Sequence, residues 1–154
     1  MKVKDMTPEI VCGLIDHTLL KPDATAADVA RVCKEAVAYG FRTVCVSPCR
    51  LPLALKLLRG KKPRAITVAG FPLGFSATEI KKAEAALYVE KGAAEIDMVI
   101  NVGALKDGDN RLVLKDIKAV VAACGKIPVK VIIETCLLTR QEKITACMIC
   151  VDAG

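Results

Sequence analysis

The sequence predicts an α/β chain forming a partial (β/α)8 barrel, with about five βα units preceded by a short N-terminal helix. Three observations predict it. Short β-branched apolar runs alternate with amphipathic stretches at a repeat of roughly 30 residues, the pattern of right-handed βαβ crossovers and a parallel sheet. Hydroxyl-x-x-carboxylate motifs open three of the amphipathic stretches, as helix N-caps do. Finally, Glu95 and Asp97 lie two positions apart in the apolar run Ala94–Ile100. Strand side chains alternate faces, so both carboxylates point the same way from a strand covered by helices. Buried carboxylates are costly unless paired or hydrogen-bonded, which points to a polar interior where chemistry is done.

Thr7-Pro8-Glu9 starts the short first helix, with Pro8 at its first position. The apolar run Val11–Ile15 is the first predicted strand, and Asp16-His17-Thr18 then lie in the loop after it. A helix over 26–39 follows, opened by Thr25-x-x-Asp28 and closed by Gly40. Strand two is Thr43–Val46, with a helix over 51–58 stopped near Gly60. Strand three is Ala65–Ala69, and Ser76-x-x-Glu79 opens a helix over 77–91 that ends before Gly92. Strand four is Glu95–Ile100, followed by a helix over 111–123. Strand five is Val129–Ile133, and Thr139-x-x-Glu142 opens a last helix over 140–151. An eight-unit barrel takes roughly 250 residues. Residues 1–154 are therefore expected to form a single incomplete barrel domain holding strands one to five, with strands six to eight missing.

A hydrophobic fraction of 53% and a mean hydropathy of +0.41 exclude disorder. No apolar run approaches the roughly 18 residues a transmembrane helix needs. Met1-Lys2-Val3-Lys4-Asp5 carries no hydrophobic signal core, so a cytoplasmic protein is expected. The eight cysteines, Cys12, Cys33, Cys45, Cys49, Cys124, Cys136, Cys147 and Cys150, fall mostly in apolar segments and are expected to be buried, reduced thiols. Cys147-Met-Ile-Cys150 has CxxC spacing inside a helical pattern, with one histidine in the chain and no second CxxC. Core packing is expected there rather than zinc, and neither a metal nor a cofactor is predicted. The net charge is +6, densest over Arg59-Gly60-Lys61-Lys62-Pro63-Arg64. That cluster reads as a solvated loop, or functionally as a mild attractor of phosphorylated metabolites. With 3% aromatics and no tryptophan, stacking platforms for nucleic acid are scarce, and no membrane contact is expected.

Ligands of parallel βα folds bind at the carboxyl ends of strands, and the informative polar residues cluster there. Adjacent strands four and five bring Asp97 beside Lys130, giving a buried pair that is either a static ion pair or a proton-transfer pair. Asp16, just past strand one, is either a loop cap or a site residue. Cys45 shares the inward face with Thr43 and Ser47, and either packs inertly or lines a substrate pocket. His17 reads as a hydrogen-bonding loop residue. Gly70 and Gly74 permit a tight loop able to approach phosphate.

Taken together, Ile15-Asp-His-Thr-Leu-Leu-Lys-Pro-Asp-Ala-Thr25, Val44-Cys-Val-Ser-Pro48, Val68-Ala-Gly-Phe-Pro-Leu-Gly74, Ala94-Glu-Ile-Asp-Met-Val-Ile-Asn101 and Val129-Lys-Val-Ile-Ile-Glu-Thr135 resemble the deoxyribose-phosphate aldolase family. The likeness covers nearly the whole chain, in order, but only about the first two thirds of the family's chain. It implies a (β/α)8 barrel and a metal-free class I aldolase. Such an enzyme interconverts 2-deoxyribose 5-phosphate with glyceraldehyde 3-phosphate and acetaldehyde through a lysine Schiff base. By that resemblance Asp97 takes part in a proton relay with water, while Asp16, Thr18 and Cys45 match pocket positions near the substrate. Lys130 matches a strand-five lysine that is not the Schiff-base residue. The Schiff-base lysine itself belongs to strand six, beyond Gly154, so this chain alone is expected to be inactive or nearly so. Homo-oligomers through exposed barrel-strand edges are expected, with a small phosphorylated aldehyde or sugar as substrate. The alternative is a non-catalytic half-barrel serving as an assembly or regulatory module, by itself or paired with a complete aldolase. A Schiff-base aldolase acting on ketose phosphates is a third reading.

Overall fold

The computed structural model describes residues 6–154; Met1–Asp5, on which the expectation of a missing signal core rests, lie outside them. Five strands hydrogen-bond in chain order within one five-stranded sheet, β1 to β5, each followed by helix. The α/β class with parallel βα units read from the sequence is the fold observed. Contacts group the described residues into two compact units, one comprising the chain to Thr67 with Gly92–Ala94, the other Val68–Lys91 with Glu95–Gly154.

In the first unit, Thr7 caps α1 (Pro8–Cys12) by accepting from the Ile10 amide. This helix overturns the predicted first strand. Val11 and Cys12 belong to α1, and the true β1 is Asp16–Leu19, which places Asp16, His17 and Thr18 on the strand rather than in a loop. The apolar run misled because Ile10, Val11, Leu14 and Ile15 are exposed rather than packed in a sheet. α2 (Ala26–Tyr39) carries the expected capping box, with Thr25 and Asp28 bonding reciprocally, and Gly40 ends it in the left-handed conformation. β2 (Thr43–Val46) pairs parallel with β1, Asp16 facing Thr43 and Thr18 facing Cys45. A 3-10 turn at Pro48–Arg50 leads into α3 (Leu51–Leu57). β3 (Arg64–Ala69) pairs parallel with β2, and Thr43–Val46 partner Arg64–Thr67.

In the second unit, α4 (Thr78–Glu90) starts after Ala77, not Ser76, and has no side-chain cap. Here the Ser76-x-x-Glu79 motif fails because the chain is still extended at Ala77. β4 (Ile96–Val99) leads into a short helix that the sequence reading lacked, α5 (Val102–Lys106), capped by Asn101. α6 (Asn110–Cys124) precedes β5 (Val129–Ile132), which pairs parallel with β4 so that Asp97 faces Lys130 and Val99 faces Ile132. α7 (Arg140–Ala153) follows, with the expected Thr139–Glu142 capping box. Ile96, Met98, Val99 and Ile100 are fully buried, as are Val113, Ile117 and Val120 of α6.

The cysteines depart from expectation. Cys33, Cys45 and Cys124 are buried, but Cys49, Cys136 and Cys147 are exposed, with Cys12 and Cys150 between, and no disulfide joins them among the described residues. Cys147 therefore does not pack in a core. Burial pushes the Cys33 and Cys124 thiols up, keeping them protonated and inert. Among the described residues no helix is long and apolar enough to cross a membrane.

The caps differ in kind, and so should their removal. Thr25→Ala and Thr139→Ala are each expected to lower unfolding free energy by about 1 kcal/mol. Ser76→Ala should change it by less than about 0.5 kcal/mol. Urea unfolding of the three variants checks this.

Candidate active site

The polar centre of the second unit is built by strand register. Asp97 and Lys130 are direct partners across the parallel β4–β5 ladder, so their side chains leave the sheet on one face. Glu95, two residues before Asp97, joins them. The Lys130 Nζ lies 3.0 Å from Glu95 Oε1 and 3.0 Å from Asp97 Oδ2. Both carboxylates are buried, whereas the lysine side chain is 45% exposed. One cation thus faces two carboxylates, and its exposed side leaves the cluster open to solvent and to small ligands. Such a pair can hold or pass a proton near a reacting group.

The first unit holds the other predicted residues on one face of β1–β2. The Thr43 hydroxyl donates to Asp16 Oδ1, and Thr18 donates to the Asp16 carbonyl at 2.9 Å. Thr18 stands opposite Cys45, which is buried. Asp16, Thr18 and Cys45 therefore share a face, with Thr43 fixing the Asp16 carboxylate. His17 points the other way. Its Nε2 is 2.7 Å from Glu35 Oε2 on α2, and its ring contacts Phe41. That geometry makes His17 a tie between strand and helix.

The carboxyl ends of β3 and β4 are shaped by glycine. Gly74 has φ +72°, and a Cβ there would fall 2.1 Å from the Ile100 carbonyl oxygen. Only glycine fits that approach. The Gly70 amide donates to Glu84 Oε2 of α4 at 2.7 Å.

Sequence reading missed a second, deeper ion pair. Lys81 of α4 is fully buried; its Nζ donates to Asp116 Oδ2 of α6 at 2.6 Å and to the Val99 carbonyl at 3.0 Å. A signal existed. Lys81 falls on the buried stripe of α4 with Ala85 and Tyr88, and Asp116 on that of α6 with Val113, Ile117 and Val120. A single opposite charge on each of two apolar stripes is the pattern of a buried pair.

Comparison with known proteins places the chain in a family. A family model described as DeoC/LacD family aldolase matches residues 10–148. Deoxyribose-phosphate aldolase of Geobacillus sp. (strain WCH70) is 54% identical over 145 residues, covering 94% of this chain and 65% of that protein. The deoxyribose-phosphate aldolase of Clostridium perfringens (strain SM101 / Type A) is 51% identical over 150 residues, covering 97% and 67%. The chain thus spans about two thirds of the length of the curated relatives it matches. Among solved structures, the tetrameric deoxyribose phosphate aldolase of Aeropyrum pernix superposes with a TM-score of 0.86 at 31% identity, over 96% of this chain and 62% of that one. An aldolase designated QR15 gives 0.88 at 33% identity, over 94% and 64%.

The assignment of His17 as a scaffold residue has a pH consequence. Hydrogen bonds from His17, then Arg31, hold the Glu35 carboxyl below its ordinary range. A depressed carboxylate contributes stability above its unfolded pKa and loses it as pH falls through the folded value. His17→Ala should therefore raise the Glu35 titration midpoint towards that of an ordinary glutamate, with Arg31 retaining part of the shift. A carbon-13 titration of the Glu35 carboxyl reads this, and an unmoved midpoint contradicts it.

Proposed function

From the premise that this chain belongs to the DeoC/LacD family of aldolases, we propose that it supplies the strand-one to strand-five part of a deoxyribose-phosphate aldolase. In this reading residues 1–154 form one incomplete barrel domain of a cytoplasmic, homo-oligomeric class I aldolase. The reaction cleaves 2-deoxyribose 5-phosphate reversibly to glyceraldehyde 3-phosphate and acetaldehyde.

The observation that carries the reading is the meeting of Asp97 with Lys130 at 3.0 Å across the β4–β5 ladder, in segments that resemble the family's motifs. Carbon–carbon cleavage through a Schiff base needs a lysine amine as electron sink and a group that moves protons at the substrate hydroxyl and enamine carbon. Asp97 takes the proton-relay role, acting with water. Lys130 holds the Asp97 and Glu95 carboxylates in place. Asp16, Thr18 and Cys45 contribute the β1–β2 wall of the substrate pocket, and the net charge of +6 favours a phosphorylated substrate. The Schiff-base position corresponds to none of the lysines in residues 1–154, so these residues alone carry the relay but not the nucleophile.

The alternative, an assembly or regulatory module, draws on the sheet order: β1 and β5 are its terminal strands, and exposed strand edges recruit partners. Both readings meet in one experiment. Incubation of the 154-residue chain with acetaldehyde and borohydride is expected to give only diffuse ethylation across surface lysines, with no stoichiometric adduct on one specific lysine. Co-expression with the C-terminal third of the Geobacillus relative should restore cleavage of 2-deoxyribose 5-phosphate. In that complex Asp97→Asn should lower kcat by about 100-fold or more. A borohydride-fixed adduct on Lys130 with turnover would contradict the division of roles. A stable complex without turnover would favour the module.

A further inference from the structure

A fully buried lysine bonded to an aspartate is an expensive way to fill a helix interface. Replacing such a pair with apolar side chains of similar volume is often neutral or stabilising, so packing alone does not explain Lys81 and Asp116. What distinguishes Lys81 is its second bond. Val99 C=O and Ile100 N–H belong to a single peptide group and point in opposite directions. The N–H donates to the Ile132 carbonyl of the β5 segment at 3.0 Å, and the C=O accepts from Lys81 Nζ at 3.0 Å. That peptide plane is therefore gripped from both edges, two residues beyond Asp97, just where β4 ends.

Neighbouring features converge on the same spot. A Cβ at Gly70 would fall 2.9 Å from Lys81 Cε, so the missing side chain at Gly70 leaves the lysine its path. Glu84, one turn along α4 from Lys81, takes the Gly70 amide. Gly74 abuts the next carbonyl, Ile100 O. Hence two charged side chains of α4 tie it to the carboxyl ends of β3 and β4.

We propose that Lys81, braced by Asp116, is a positioning residue that locks the end of β4 against β5 and thereby sets the Asp97–Lys130 pair. The catalytic part of this inference rests on the proton-relay reading of Asp97; the structural part does not. Without the Val99 bond the 99–100 peptide is held from one edge only, β4 loosens from β5 at its end, and the lysine–carboxylate distances lengthen.

The test uses Lys81→Met combined with Asp116→Leu. The double variant removes one charge of each sign, so the net charge is unchanged and the apolar replacement lets the chain fold. Two NMR readouts follow on the 154-residue chain. Exchange of the Ile100 amide should quicken about tenfold while that of Ile96 keeps its parent rate. The Asp97 carboxyl carbon-13 resonance at neutral pH should move, because the Lys130 ammonium stands farther from it once the end of β4 loosens. Asp116→Asn removes the charged brace while keeping a Lys81 N–H near Val99 O, and should move both readouts in the same direction by a smaller amount. In the complemented aldolase, the double variant should lower kcat about tenfold with KM within about twofold, as expected for misplacement of a reacting group.

A folded double variant with unchanged Ile100 exchange and an unmoved Asp97 carboxyl resonance overturns the proposal, as does Asp116→Asn leaving both readouts at parent values; if the double variant does not fold, Asp116→Asn alone decides. Absence of aldol turnover in the complemented parent would instead sink the aldolase reading and leave the NMR outcome standing.

Discussion

Two carboxylates on one face of a buried strand set the terms for the rest of the second unit. Buried carboxylates are costly without partners, and the β4–β5 register brings Lys130 within 3.0 Å of both Glu95 and Asp97. A slip of one residue would send Lys130 to the opposite face and take its charge away from both carboxylates. The register is thus fixed by charge as well as by apolar packing. Because Lys130 is half exposed, the cluster is neither a sealed core salt bridge nor a surface pair of negligible strength. That intermediate exposure leaves the cluster reachable from solvent.

The surrounding architecture holds this face still. Lys81 and Glu84 reach from α4 to backbone at the ends of β4 and β3, and Gly74 permits contact with Ile100 that any larger residue would block. In the first unit Thr43 and Thr18 fix Asp16 in the same manner, through hydroxyl donors on and beside its strand. Each unit presents polar groups from one face of adjacent parallel strands, Asp16, Thr18 and Thr43 in the first, Asp97 and Lys130 in the second. Family membership and this geometry arise from independent observations.

How much of this was legible in the sequence depends on the residue. α2 and α7 were readable because a hydroxyl and a carboxylate three residues apart solve a local problem, the unpaired amides of a helix start. The Asp97–Lys130 meeting was readable because strand alternation and adjacency leave few options. β1 was not. Its residues Asp-His-Thr-Leu lack the apolar composition of a strand, while the preceding apolar run is drawn into a helix by Thr7 and Pro8. α5, at five residues, is too short to show periodicity. Lys81 and Asp116 escaped because each looks like an ordinary surface charge until both stripes are known to face each other. Tertiary pairing of distant segments is where local rules stop.

The central claim is that Lys130 and Asp97 stabilise one another across the β4–β5 ladder. A double-mutant cycle of Asp97→Asn and Lys130→Met, measured by reversible urea unfolding, tests it most directly. A favourable coupling of about 1–2 kcal/mol is expected for a pair buried on one side and open on the other. Additivity within about 0.3 kcal/mol would contradict it, and the site would lose the interaction on which it is built.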